Sequence, residues 1–183
     1  MCHFVTAVLP DTSPHAALDA IARKYGRQLR PLASPSMERQ LGRDQRYFLT
    51  TPGHCDCGTV LGSHYQRARQ AKDWAADEQR LLKKGWSKAK VARALAQKQE
   101  SSARSDVAVL EASAADLASW TKLIAEILGS GTREFGLLLH SYRGPLDEDI
   151  KLKGTEQIAT GDDTGEILRK MREDVLYVFL ARA

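Results

Sequence analysis

Residues 3–9 at the head of the chain read His-Phe-Val-Thr-Ala-Val-Leu, apolar and rich in β-branched side chains, and Pro10 stops them. Such a run makes a buried strand. Asp11-Thr12-Ser13-Pro14 follows directly and supplies a helix start, a capping residue ahead of a proline at the first helical position. Ala17, Leu18, Ile21, Ala22 and Tyr25 then recur at helical spacing, and Gly26 suits a left-handed helix end. The chain therefore opens strand then helix.

Further along, residues 27–33 read as a short edge strand, because Pro31 cannot donate to a central ladder. Residues 34–42 form a loop. Arg46-Tyr47-Phe48-Leu49-Thr50-Thr51, closed by Pro52-Gly53, is a second strand. An intermittent apolar stripe of Tyr65, Ala68, Trp74, Ala75, Leu81 and Leu82 runs up to Gly85, and Ser87 caps a further helix through Val91 and Leu95. The polar residues 100–105 read as a connector. After them Val107, Leu110, Ala114, Leu117, Ala118, Thr121, Ile124 and Leu128 form the strongest helical pattern in the chain, closed by Gly129 and Gly131. Strand character returns at residues 135–142 and 174–181, with a short strand expected at 150–153 and a short helix at 165–171 between them.

This order predicts an α+β fold: a mainly antiparallel sheet with a split βαβ-like start, covered on one face by helices. Residues 1–183 then make one domain, with residues 65–128 inserted as a helical hairpin or arm. The core is expected from Phe4, Val8, Phe48, Leu137, Leu139, Val175, Tyr177 and Phe179, with Ile21 and Leu117 from the covering helices.

With 183 residues, 43% hydrophobic and 27% charged, the chain is a globular protein and not a disordered or fibrous one. Its mean hydropathy is −0.39 and it has no apolar stretch near the roughly 20 residues that a membrane span needs. Three cysteines and a start without a signal-type apolar core read as a cytosolic protein with reduced thiols and no membrane association.

The most informative stretch is Thr51-Pro52-Gly53-His54-Cys55-Asp56-Cys57-Gly58-Thr59-Val60-Leu61-Gly62. Its glycines and proline mark a tight loop that gathers two cysteines and a histidine, while Cys2 and His3 begin the first strand. Strand direction decides whether the two groups meet. Parallel pairing would leave Cys2 and Cys55 roughly 20 Å apart at about 3.3 Å per residue, whereas antiparallel pairing brings Cys2, His3, His54, Cys55 and Cys57 together. Thiolates and imidazoles converging in this way suit zinc, although Cys55 and Cys57 have one residue between them and structural zinc pairs more often have two. A buried turn whose small thiols merely pack on the sheet uses the same residues. With Met1 trimmed, Cys2 would carry both an amine and a thiol, a start that resembles that of N-terminal nucleophile hydrolases and glutamine amidotransferases; that single residue carries the resemblance, which implies a nucleophilic Cys2. Residues 53–59 also share the glycine spacing of a phosphate-binding loop but lack its lysine.

Charge is unevenly spread. Of the net +4, residues 65–104 carry about +7, from eleven Lys or Arg against four Asp or Glu, and the remainder about −3. Residues 84–95 resemble the first helix of some helix-turn-helix modules, though the polar residues 97–105 supply no matching turn. No carboxylate pair, nucleophile elbow or Ser-His-Asp order marks a catalytic site: residues 147–149 and 162–163 read as solvated turns, His140 as a structural histidine and His15 as exposed. The leading expectation is a cytosolic, non-catalytic binding protein that uses Lys83, Lys84, Trp86, Lys88, Lys90 and Arg93 to engage an acidic protein surface. A zinc- or thiol-dependent protein centred on Cys2, His54, Cys55 and Cys57 is the second reading, and a nucleic-acid-binding protein the third.

Overall fold

A computed structural model describes residues 2–62, 73–161 and 163–181, leaving aside the side chains of residues 103 and 105–110. The chain divides into two compact units, Met1–His64 with Asp116–Ala183, and Tyr65–Ala115.

The first unit is built on a six-stranded sheet. Strand β1 (Cys2–Pro10) leads into helix α1 (His15–Lys24), the short strand β2 (Arg30–Pro31), helix α2 (Pro35–Gln40) and strand β3 (Gln45–Leu49). Strands β4 (Glu134–Tyr142), β5 (Gly154–Ala159) and β6 (Val175–Leu180) follow, and the short helix α5 (Thr164–Arg169) joins the last two. The order is β2-β3-β1-β4-β6-β5, antiparallel throughout except for the β5–β6 pair. The fold is thus α+β, as the pattern of elements predicts. Strand β3 lies between β1 and β2, so the strands on either side of α1 run in the same direction without touching.

Alternation along β1 sends Val5, Ala7 and Leu9 to one face and Phe4 and Val8 to the other. The first face is covered by Leu18 and Ala22 of α1, by Leu117, Trp120, Leu123, Ile124, Ile127 and Leu128, and by Leu168 of α5. On the second face Met37 of α2 and Ile150 lie over Tyr47, Leu138, Tyr142 and Val178. Both faces are therefore dry, where helices on one face alone are expected from the sequence. The expected core residues are all buried except Ile21, which packs partly buried against the first face.

Some local expectations are corrected. Pro14 stands at the N-cap position of α1 with no side-chain cap. Gly26, at φ 67°, does end that helix in the left-handed region. No strand forms at 150–153; β5 begins at Gly154 and carries Thr155, Glu156 and Gln157, whose polarity suits an edge strand. His15 is half-buried against Phe48, with ring centroids 4.9 Å apart, and not exposed. Glu148 is no idle turn residue, since its carboxylate accepts the N–H groups of Arg143 and Gly144 and meets His140 Nε2 at 3.2 Å, while Asp174 holds His140 Nδ1 at 2.5 Å. Glu148 thereby ties its loop to the end of β4, and both ring nitrogens of His140 meet a carboxylate.

The second unit contains helix α3 (Trp74–Lys83) and the beginning of helix α4 (Lys88–Gly129), a single helix of 42 residues. The expected connector at 100–105 is helical. Polarity does not break a helix that contains no proline and no glycine before its last residue, and Arg104 pairs with Glu100 one turn away. Asp73 caps α3 through its bond from the Ala76 N–H, and Asp77 of α3 holds Lys98 of α4. The expected helical residues Tyr65 and Ala68 lie outside the described residues, as do the side chains of Val107 and Leu110.

Candidate metal centre

Antiparallel pairing of β1 with β3, in which Thr6 faces Leu49, returns the chain after β3 to the start of β1. Thr50 continues the contact, its hydroxyl donating to the Val5 carbonyl at 2.6 Å. The loop then folds over the head of the strand. Asp56 donates its backbone N–H to the His3 carbonyl at 2.7 Å, and its carboxylate accepts the Val5 N–H at 2.8 Å and the Thr51 hydroxyl.

Asp56 is fully buried, and Arg27 neutralises it through an Nη1 bond of 2.6 Å. Arg27 is itself buried; its Nη2 reaches Asp116 at 3.1 Å and its guanidinium lies 4.4 Å from the centroid of the Trp120 ring. The second Asp116 oxygen accepts the Val60 N–H at 2.8 Å, closing a chain of bonds from β1 through the loop to α4. Such burial is tolerable because each charge has a partner and fixed donors. Gly62 completes the packing, since a Cβ there would lie 2.1 Å from the Asp56 carbonyl oxygen.

With Asp56 pinned inward, Cys55 and Cys57 on either side of it meet Cys2. The three sulfurs all lie within 4.8 Å of one another. Cys57 Sγ accepts the His3 N–H at 3.2 Å, and His3 Nδ1 stands 3.9 Å from the same sulfur. On its other side His3 Nε2 meets Glu173 Oε1 at 2.7 Å. The convergence expected from antiparallel strands therefore holds for Cys2, Cys55 and Cys57, with His3 beside Cys57. It fails for His54, which is exposed and outside the group.

The sulfurs are not equivalent. The Cys57 backbone N–H and the neighbouring thiols hold the Cys55 thiol below its ordinary range, whereas burial pushes the Cys57 thiol up. A lowered thiol carries more thiolate near neutral pH, and thiolate is the reactive form. In metal-free protein under limiting alkylating agent, Cys55 is expected to label before Cys57, with the difference narrowing as the pH rises above both values. Peptide mapping by mass spectrometry checks this, and labelling of Cys57 first would refute it.

Chemically, three thiols at this spacing match a soft or borderline cation held by sulfur. Around tetrahedral zinc with Zn–S near 2.3 Å, neighbouring sulfurs stand about 3.8 Å apart, so the trio needs to contract by no more than about 1 Å. In the loop the Thr59 hydroxyl donates to the Asp56 carbonyl at 2.9 Å. Asp56, Arg27, Asp116 and Glu173 escape sequence reasoning; only the position of Asp56 between the two cysteines hints at a role.

The basic residues expected to bind a partner lie elsewhere, in the second unit. Lys83 ends α3, Lys84 and Trp86 lie in the turn, and Lys88, Lys90 and Arg93 begin α4. All five cations are exposed and Trp86 is half-buried, with the Lys90 ammonium 4.2 Å from its ring centroid. No helix among the described residues is long and apolar enough to cross a membrane. No protein-family model, curated protein or solved structure matches this chain.

Proposed function

We propose that the chain is a zinc-binding protein whose ion is held by the thiolates of Cys2, Cys55 and Cys57 and by Nδ1 of His3. The observation that carries this reading is the approach of three sulfurs to within 4.8 Å of one another at the junction of β1 and the loop after β3. Glu173 supports the fourth donor: its carboxylate lies 2.7 Å from Nε2 and so orients the ring with Nδ1 toward Cys57 Sγ, 3.9 Å away. The His3 N–H on Cys57 Sγ stabilises a thiolate in the same way. Four protein donors leave no open position, so the ion acts structurally, tying the first residue of β1 to the loop, and supplies Lewis-acid neutralisation of three clustered thiolates.

Cobalt is the probe. Metal-free full-length protein is expected to take up about one equivalent of Co²⁺ with the thiolate charge-transfer absorption and intense visible bands of a tetrahedral sulfur-rich site. Cys57→Ser should remove most of this absorption, and Glu173→Gln should weaken binding about 10- to 100-fold while preserving the spectrum. A full spectrum in His3→Asn would exclude His3 as the fourth donor and leave the three-sulfur centre standing. Purified protein without zinc, together with no cobalt absorption, would defeat the reading altogether.

A further inference from the structure

Between Gln79 and Gln99 the chain contains seven Lys or Arg and no Asp or Glu. Asp77 takes two of them, Arg80 at 2.8 Å and Lys98. Lys83, Lys84, Lys88, Lys90 and Arg93 have no ion-pair partner among the described residues, and all five are exposed. The turn joins the two helix ends that carry them. Gly85, at φ 81°, reverses the chain at the end of α3, with the Gly85 N–H on the Leu82 carbonyl at 2.9 Å and the Trp86 N–H on the Leu81 carbonyl at 3.3 Å. Lys83 and Lys84 then lie on one side of the turn and Lys88 and Lys90 on the other. The first turn of α4 carries no acid to offset its positive end, so the helix dipole adds to the field of the lysines.

We propose that this turn binds the phosphate backbone of double-stranded nucleic acid without reading bases. Four of these five cations are lysines, compact and strongly hydrated point charges that contact phosphate without a fixed geometry, as binding to a backbone without base readout requires. A protein partner would call for exposed aromatic or apolar anchors. The Trp86 ring is instead occupied by the Lys90 ammonium, and Leu82, at 37% relative exposure, is the single large exposed apolar side chain among the described residues. Charge complementarity therefore favours a polyanion of regular charge over the acidic protein surface expected from the sequence.

The test is fluorescence anisotropy of a labelled random-sequence duplex with the full-length protein over a salt series. If all five cations engage phosphates, log K should fall linearly with log[salt] with a slope near −4 to −5, and duplexes of unrelated sequence should bind alike. Lys84→Gln should reduce the slope by about 1, and Lys83→Gln combined with Lys88→Gln by about 2, with the circular dichroism spectrum unchanged. Because the salt series on the unaltered protein needs no variant, failure of a variant to fold does not obscure the answer. Absence of binding at low salt, or a slope unchanged in the variants, would overturn the proposal. Polyglutamate of matched charge displacing the duplex as well as unlabelled duplex would also overturn it and return the surface to an acidic protein.

Discussion

Asp56→Asn should lower the stability of the folded protein by about 3–5 kcal/mol, the range for breaking a buried ion pair on one side. For a chain of this length that lowers the thermal midpoint by on the order of 10 °C. The substitution nearly preserves volume, so the loss is not one of packing. It leaves Arg27 buried with only Asp116 to neutralise it, and it puts an NH₂ group among the Val5 N–H, the Thr51 hydroxyl and the guanidinium, all of which donate. Urea unfolding followed by circular dichroism measures the change. A loss under about 1 kcal/mol would show that water reaches the pair and that the loop does not depend on it. Because Asp56 sits between Cys55 and Cys57, the same variant should bind cobalt less well, although Asp56 is not a ligand.

Trp120→Ala should cost a comparable amount, about 3–5 kcal/mol. The side chain is 1% exposed, belongs to the core beneath the sheet and carries the Arg27 guanidinium on its ring. Trp120→Phe is expected to be much milder, because the indole N–H has no hydrogen-bond partner among the described residues and its removal strands nothing. Comparing the two variants by thermal and urea unfolding separates lost volume from lost polarity. Equal losses would mean that the ring's full size, not its aromatic face, supports Arg27.

The two substitutions also bear on what the amino-acid pattern reveals. Strands β1, β3, β4 and β6 are legible because Phe4, Phe48, Leu137 and Phe179 belong to runs that only a buried sheet accommodates. The edge strand β5 is not, since Thr155, Glu156 and Gln157 read as loop, and its place is set by pairing with β6. Glu100 and Arg104 mislead in the opposite direction, for their polarity suggests a break where their spacing stabilises a helix. In the candidate centre the cysteines announce themselves by rarity and by the glycine-rich turn. The residues that aim them do not, because Arg27, Asp116 and Glu173 come from three distant parts of the chain and meet the loop through tertiary structure alone. His54 shows the limit of proximity in sequence: it adjoins Cys55 and faces solvent.

The central place of β1 has a consequence for how the protein is made. Its seven-residue ladder with β4 joins segments about 130 residues apart, from Cys2 opposite Tyr142 to Val8 opposite Gly136. At roughly 5–20 residues per second, a nascent chain spends on the order of 10 s with that apolar strand emerged and its partner not yet synthesised. Strand β3 arrives much earlier, and its hairpin-like pairing with β1 covers one flank while the other waits. Contacts of such long range close slowly. An early clasp between Cys2 and the loop at 55–57 would hold the first strand in register through this interval, before the rest of the sheet exists to do so.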